Sequence, residues 1–224
     1  LDALVRRGHD VVAADDRPDD EARRAAKDAG VELVVAPADD ELRRLLDGAA
    51  EVLPAPGLPD RHPVFAAAAD AGVPIRSELD LAARWDDRPV VAVTGTDGKT
   101  TVTELTASIL DASGVAAAVC GNNETPLVAA IDVPATDVFV VEASSFRLLH
   151  SAHYAPAVGT WLNLAPDHLD NHASLEAYTA AKARLWADQR HDQVAIGNVD
   201  DPIVRERLAA APARQVTFGL TPGA

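Results

Sequence analysis

The chain has 224 residues, enough for one large or two small domains, and its 48% apolar content is typical of ordinary globular proteins. Its formal net charge of −15 argues against nucleic acid or an anionic membrane as the main partner, because both select a basic surface. A single cysteine, Cys120, excludes an internal disulfide and a cysteine-based zinc site. No apolar run approaches the roughly 20 residues of a membrane span, and no signal peptide is recognisable, so we expect a cytoplasmic protein.

The first 86 residues alternate strand-like and helical segments, which predicts parallel strands joined by crossover helices. The predicted strands are 9–14, 31–36, 51–53 and 73–75, and the predicted helices are 20–29, 39–46, 63–71 and 77–85. The last helix begins with a capping-box pattern, Ser77 followed by Asp80. Because the chain has no methionine and opens at Leu1 in a helical pattern, we expect a fragment whose first strand lies upstream.

A polar segment with a proline, WDDRP at 85–89, predicts a boundary between a first domain, residues 1–86, and a second, residues 89–224. The alternation then restarts, which predicts a second α/β domain. Its predicted strands are 89–94, 115–119, 138–142, 157–162, 193–196 and 215–218, and its predicted helices are 99–112, 126–131, 174–188 and 201–210.

The stretch VVAVTGTDGKTT, 90–101, combines the parts of a phosphate-binding loop. A β-branched strand breaks at Gly95, and the glycines let backbone N–H groups approach an anion at the start of a helix. Lys99 adds a charge, and the Thr100 hydroxyl is a ligand for magnesium. Val93 stands where the general pattern has its first glycine, so the loop is a shortened variant. An ordinary glycine turn before a helix is the alternative.

Polar residues follow the strands of this second domain. Glu142 ends a strand where an NTPase needs a magnesium ligand, or it is an acidic residue at the start of the next turn. Ser144 and Ser145 cap a helix or touch phosphate. Asn122, in the turn GNNETP at 121–126, has a carboxamide that donates to phosphate, unless the segment is a plain turn.

Histidines and carboxylates are concentrated in NLAPDHLDNH, 163–172. The spacing of His168 and His172 allows a zinc site, although the Asp, Asn and Pro residues favour a turn over the helix that would align them. A solvated loop, and a magnesium-side or phosphate-side role for His168, are the other interpretations. Lys182 follows on a helix beside alanines that leave room around its amine; alone, it would be interpreted as a surface lysine.

Taken in order, GTDGKTT, GNNETP, VVEASSF, APDHLDNH, YTAAKARLW and GNVDD resemble the ATP-dependent Mur ligases of peptidoglycan synthesis. The SSF after Glu142 is most similar to the branch that adds D-glutamate to UDP-N-acetylmuramoyl-L-alanine. The resemblance implies a truncated Rossmann-like UDP-sugar-binding domain followed by an incomplete P-loop NTPase-type domain with a mostly parallel sheet flanked by helices. It also implies ATP and Mg²⁺ as cofactors, the UDP-sugar and D-glutamate as substrates, an acyl-phosphate route to the amide bond, and a monomer. A fragment without the C-terminal domain is expected to be inactive alone.

The resemblance also implies a role for each matching residue. The ATP phosphates would be held by Gly95, Thr96, Asp97, Gly98, Lys99, Thr100 and Thr101. Lys99, Glu142, His168 and Lys182 would be catalytic, with one magnesium on Thr100 and Glu142 and a second on His168, supported by a carbamylated Lys182. The UDP-sugar would contact Asn122 and Ser144, with Asp15, Asp16 and Arg17 bordering the uridine nucleotide.

Four positions depart from the family pattern. Asp97 replaces Asn or His, and Glu124 replaces a glycine, so both add negative charge near anionic ligands. Ala143 and Arg147 replace the usual Leu and Gln. The alternatives are therefore another Mur-type or folylpolyglutamate-type ligase, a nucleotide-binding scaffold with impaired catalysis, and an unrelated P-loop switch, which would not explain Lys182.

Overall fold

The structure, a computed structural model, describes residues 1–122, 125–168 and 170–220. Two compact units divide the chain, one formed by Leu1–Val52 and Arg61–Ile75, the other by Leu53–Asp60 and Arg76–Ala224. In chain order the described elements are α1 (Asp2–Arg6), β1 (Val12–Asp15), α2 (Asp20–Asp28), β2 (Glu32–Val35), α3 (Asp39–Leu46), α4 (Pro63–Ala71), α5 (Glu78–Trp85), β3 (Val90–Thr94), α6 (Lys99–Ala112), β4 (Ala117–Gly121), α7 (Leu127–Ala130), β5 (Val138–Glu142), α8 (Ser145–Leu149), β6 (Val158–Trp161), α9 (Leu175–Ala187), β7 (Val194–Asn198), α10 (Pro202–Leu208) and β8 (Arg214–Phe218).

In the first unit, β1 and β2 pair in parallel, as the alternating pattern predicts. A small apolar core forms where Leu42 and Leu46 of α3 pack with Ala68 of α4. The predicted strands 51–53 and 73–75 are wrong in extent, because they reduce to a single parallel bridge between Val52 and Ile75. Prolines 54 and 74 lack the N–H that a longer ladder would require.

The second unit contains the six-stranded parallel sheet of the described residues, in the order β4-β5-β3-β6-β7-β8. Its buried core includes the indoles of Trp161 and Trp186, which pack at a tilt of 52° with ring centroids 5.4 Å apart. Gly159 is required beside them, because a Cβ there would lie 3.0 Å from the Trp186 ring. The α/β fold with a mostly parallel, helix-flanked sheet is therefore confirmed.

Three local predictions differ from the structure. The strand predicted at 9–14 begins three residues later, at Val12. The strand predicted at 115–119 begins two residues later, because the N–H groups of Gly114 and Val115 bond back to carbonyls of the preceding helix. The short helix α8 is absent from the predicted elements, although a helix cap is one of the two interpretations of Ser144 and Ser145. Ser144 does cap it, by accepting a hydrogen bond from the N–H of Arg147. Among the described residues, no helix combines the length and the apolar character that crossing a membrane requires.

The helix α5 belongs to the second unit by its packing. Its capping box is present, as the sequence predicts. The N–H of Ser77 donates to the Asp80 carboxylate, and the Ser77 hydroxyl accepts from the N–H of Leu79. The buried Asp80 carboxylate also accepts hydrogen bonds from the backbone N–H groups of Ala152 and His153, at 2.8–3.0 Å. The break between compact units therefore precedes α5, whereas the domain boundary at 86–89 stays a prediction.

Asp80→Ala should lower the free energy of unfolding of the second unit by roughly 2–4 kcal/mol, because it leaves the N–H groups of Ser77, Ala152 and His153 without their acceptor. Urea unfolding followed by tryptophan fluorescence measures this, since all three tryptophans lie in that unit. Asp192→Ala is the control, because Asp192 forms an exposed ion pair with Arg190 and its loss should leave the midpoint unchanged. Equal midpoints for the two variants would contradict the structural role of Asp80.

Candidate functional site

The candidate site lies at the carboxyl ends of three neighbouring strands. β3 is flanked by β5 and β6, with Val93 opposite Glu142 and Thr94 opposite Trp161. The loop after β3 leads directly into the 14-residue helix α6, whose N-cap, Gly98, has a left-handed backbone with φ +81°. Only glycine adopts that conformation without strain. The predicted loop therefore occupies the edge at which ligands bind in open parallel sheets.

Thr100 and Glu142 are in direct contact at this edge. The Thr100 hydroxyl donates to Oε2 of Glu142 at 2.7 Å, and the Asn122 amide donates to Oε1 at 3.3 Å. Glu142 is buried, at 4% exposure, and each of its carboxylate oxygens has one of these hydrogen-bond partners. The structure thus brings together three residues that the sequence predicts for the site, taken from β5, α6 and the turn after β4.

Both predicted lysines of the site reach the loop that the sequence predicts to bind phosphate, residues 95–101. Nζ of Lys99 donates to the carbonyl of Thr96 at 2.8 Å, and Nζ of Lys182, from α9, donates to the adjacent carbonyl of Gly95 at 2.7 Å. Lys182 is 1% exposed, so the interpretation as a surface lysine is wrong. Burial, reinforced by the nearby charge of Lys99, lowers the pKa of Lys182 to about 7. Its amine is therefore substantially neutral near physiological pH.

The ring of Tyr178 lies against the Lys182 amine, and the sequence analysis did not single out this tyrosine as a site residue. The Nζ lies 4.5 Å from the ring centroid of Tyr178, one helical turn earlier on α9. The Tyr178 hydroxyl is 3.3 Å from Oγ1 of Thr96 in the loop. The i, i+4 spacing of Tyr178 and Lys182 was the available signal, because such pairs share a helix face. Asn163, whose amide also contacts the loop, was missed as well.

The two histidines of the 163–172 segment have different environments. His168 has a left-handed backbone, φ +54°, and a half-exposed side chain with Nε2 3.3 Å from Oδ2 of Asp167. His172 is buried, its Nε2 lies 2.9 Å from the Ser145 hydroxyl, and its ring stacks on Phe146. Burial lowers the pKa of the His172 imidazole. It is therefore a core histidine.

The zinc interpretation receives no support. Within 1–122, 125–168 and 170–220, no group of three His, Cys, Asp or Glu side chains could hold a metal ion. Magnesium is a different case, because it retains several waters and is often bound through one or two protein oxygens together with phosphate. The hydroxyl of Thr100 and the carboxylate of Glu142 are hard oxygen donors in contact with each other, so they fit such an ion.

Two departures from the family pattern have a structural account. Arg147 of α8 donates to Glu78 of α5 at 2.6 Å and forms a largely buried ion pair, which joins the two helices. Asp97 has an exposed side chain, while its backbone N–H and carbonyl face Asn163, so its carboxylate takes no part in those contacts. Glu124 lies outside the described residues.

The remaining predicted residues have local partners. Ser144 serves as the cap of α8, which leaves its predicted substrate contact a prediction. In the first unit, the N–H of Arg17 donates to Oδ1 of Asp15 at 2.8 Å. Oδ2 of Asp16 lies 3.1 Å from Nε2 of His62, whose Nδ1 accepts from the N–H of Val64. Nε2 therefore carries the proton and donates to Asp16.

Known proteins resemble this chain in sequence. The sequence profile of the Mur ligase middle domain matches residues 93–224. A protein from Frankia casuarinae named UDP-N-acetylmuramoylalanine–D-glutamate ligase is 45% identical over 175 residues, covering 77% of this chain and 37% of the relative. One of the same name from Thermus thermophilus is 39% identical over 220 residues, covering 98% of this chain and 50% of the relative. The chain thus spans half or less of these relatives' length.

Solved structures share the fold. The UDP-N-acetylmuramate:L-alanyl-gamma-D-glutamyl-meso-diaminopimelate ligase from Neisseria meningitides aligns with a TM-score of 0.60 at 18% identity, covering 96% of this chain and 72% of that one. The MurF ligase from Thermotoga maritima, solved with ADP, aligns with a TM-score of 0.56 at 19% identity, covering 94% and 48%. At these identities the likeness establishes the architecture alone.

Gly121→Ala should lower the free energy of unfolding of the second unit by roughly 3 kcal/mol or more. A Cβ at Gly121 would lie 2.4 Å from the carbonyl oxygen of Glu142, so β4 would have to separate from the end of β5. Gly114→Ala is the matched control: its φ is also positive, at +82°, but no atom lies within 4 Å, so only about 1 kcal/mol of backbone strain is expected. Urea midpoints that coincide would contradict the close approach at Glu142.

Proposed function

Because the chain belongs to the Mur ligase family, we propose that it is the nucleotide- and UDP-sugar-binding part of an ATP-dependent ligase that adds D-glutamate to UDP-N-acetylmuramoyl-L-alanine. The observation that carries this proposal is the contact between Thr100 and the buried Glu142 at the end of a phosphate-binding loop. The relatives that bear the D-glutamate ligase name favour this substrate over the other amino acids and over folylpolyglutamate.

In this proposal the loop from Gly95 to Thr101 holds the ATP phosphates. Lys99 exchanges its hydrogen bond to the Thr96 carbonyl for one to the β- and γ-phosphate oxygens, where its charge stabilises the transferring group. Thr100 and Glu142 hold Mg²⁺, which offsets phosphate charge when bound. The γ-phosphoryl group passes to the substrate carboxylate, and the resulting acyl phosphate is attacked by the amine of D-glutamate with release of phosphate.

Lys182 is proposed to carry a carbamate. A neutral amine attacks CO₂ and loses a proton, which converts a buried base into an anion, and the low pKa of Lys182 favours this reaction at neutral pH. The carbamate and His168 would support a second magnesium. Lys99 and Asp167 are the charged groups that act on this amine, and the Tyr178 ring lies against it.

The substrate end of the site is proposed from the remaining residues. Asn122 and Ser144 would contact the UDP-sugar, with Asp15, Asp16 and Arg17 beside the uridine nucleotide in a domain of residues 1–86. Residues 89–224 would form the ATP-binding domain. We also propose that the whole protein is a monomer that works in the cytoplasm.

Lys99→Ala should weaken binding of Mg-ADP by roughly tenfold to a hundredfold, because a charge-assisted hydrogen bond to phosphate is lost. Isothermal titration calorimetry on the 224-residue chain measures this affinity. Lys27→Ala is the matched control, because Lys27 is an exposed lysine of α2 and its loss should leave the affinity unchanged. Glu142→Gln, which keeps the size of the side chain, should remove most of the dependence of affinity on Mg²⁺. An unchanged affinity in Lys99→Ala would refute the phosphate-binding role.

A carbamate carbon signal should appear in the ¹³C NMR spectrum of the protein in ¹³C-bicarbonate and vanish in Lys182→Met. The chain has only three lysines, and Lys27→Met should retain the signal. The reacting form is the neutral amine, so the signal should grow as the pH rises from about 6 to 8 through the lowered pKa of Lys182. A signal that persists in Lys182→Met would assign the carbamate to another amine.

A further inference from the structure

Asn163 lies two residues beyond the end of β6, next to the phosphate-binding loop. Because β6 and β3 pair in parallel with Trp161 opposite Thr94, the register carries Asn163 to the level of Thr96. Its backbone carbonyl accepts from the N–H of Thr96 at 3.1 Å, so main chain and side chain both contact the loop. Nothing in its sequence context marks it out from other residues of a polar loop.

The side-chain amide of Asn163 makes three hydrogen bonds with the loop backbone. Its Oδ1 accepts from the N–H groups of Thr96, at 3.0 Å, and Asp97, at 2.9 Å. Its Nδ2 donates to the carbonyl of Asp97 at 3.1 Å. Aspartate has the same shape but lacks the donor, and serine offers a single hydroxyl. A carboxamide is therefore the group that satisfies all three positions together.

We propose that Asn163 is a positioning residue for the phosphate-binding loop and determines which of its amides face the phosphates. The proposal rests on the proposed function, since it takes nucleotide phosphate as the ligand. The N–H groups of Thr96 and Asp97 are already bonded to Asn163. Phosphate contacts therefore fall to the amides at the start of α6, from Gly98 onward, which have no acceptor within the helix. Fixing the loop beforehand also removes its ordering cost from binding.

Glycine at position 95 makes this arrangement possible. A Cβ there would lie 3.1 Å from Cβ of Leu162 and 3.3 Å from the carbonyl oxygen of Asp97, so these neighbours would have to shift by a few tenths of an ångström. The first glycine of the motif thus admits the 162–163 segment. The second, Gly98, has the left-handed backbone that starts the helix. The two glycines therefore serve different purposes within one motif.

Two further hydrogen bonds reach the loop, one from the segment that follows Asn163 and one from α9. The N–H of Ala165 donates to Oγ1 of Thr96 at 2.9 Å, and Nζ of Lys182 donates to the carbonyl of Gly95. The segment that leads to Asp167 and His168 is thereby bonded to consecutive residues of the loop. The loop and the histidine segment are consequently held in one arrangement, so a displaced loop displaces the histidine segment too.

Amide hydrogen exchange resolved to residues 96 and 97 tests the hydrogen bonds between Asn163 and the loop without any nucleotide. In Asn163→Ala, exchange at the Asp97 amide should accelerate by roughly tenfold or more, because its acceptor is gone. The Thr96 amide keeps the backbone carbonyl of residue 163 as an acceptor and should accelerate less. Asn198→Ala is the matched control, since Asn198 donates its amide to the carbonyl of Leu162 and does not contact the loop. Exchange at the Asp97 amide that stays as slow in Asn163→Ala as in Asn198→Ala would overturn the proposal.

Affinity for Mg-ADP supplies the second readout. Asn163→Ala should bind roughly tenfold more weakly or worse, with Asn198→Ala unchanged. Asn163→Asp, which keeps the size and the acceptor oxygen, should retain slow exchange while its added charge weakens binding, and it serves if the alanine variant does not fold. Fast exchange combined with unaltered affinity would overturn the positioning role. A wild-type chain that binds no nucleotide would count against the proposed function alone, because the exchange measurement contains none.

Discussion

The parallel pairing of β3 with β5 on one side and β6 on the other is the constraint on which the site depends. Parallel strands end at a common edge, so residues that are distant along the chain emerge there side by side. Glu142 reaches that edge from β5, Asn163 follows β6, and the phosphate-binding loop leaves β3 between them. A change of register by one residue would turn each of these side chains to the opposite face.

The candidate site contains two buried charged side chains, Glu142 and Lys182, that are hydrogen-bonded to neighbouring groups. Glu142 is fixed by Thr100 and Asn122, and Lys182 by the carbonyl of Gly95. Buried charges are costly unless they are paired or neutralised. Burial of Lys182 disfavours the protonated form of its amine and so lowers its pKa. An amine kept neutral in this way is poised for chemistry that an exposed lysine cannot perform at neutral pH.

Much of the site could be predicted from the sequence because its parts are local. The order of strand, glycines, lysine and threonine at 90–101 predicts a phosphate-binding loop from one short segment. The carboxylate at the end of the 138–142 strand needs only the strand pattern. Asn163, Tyr178 and Phe146 act through contacts with segments far along the chain, so no local pattern reports them. The status of His172 as a buried partner of Ser145 likewise depends on a contact 27 residues away.

By itself the sequence determined the alternation of strands and helices, the caps of several helices and the glycine turn that leads from β3 into α6, because hydrophobic period, capping and turn chemistry act between near neighbours. It also carried the family resemblance through the order of its motifs. Only the tertiary structure decided the strand order and the burial of Lys182. It likewise decided the ion pair of Arg147 with Glu78 and the hydrogen bonds of Asn163 to the loop. These depend on which segments become neighbours in space, and that follows from packing the whole sheet.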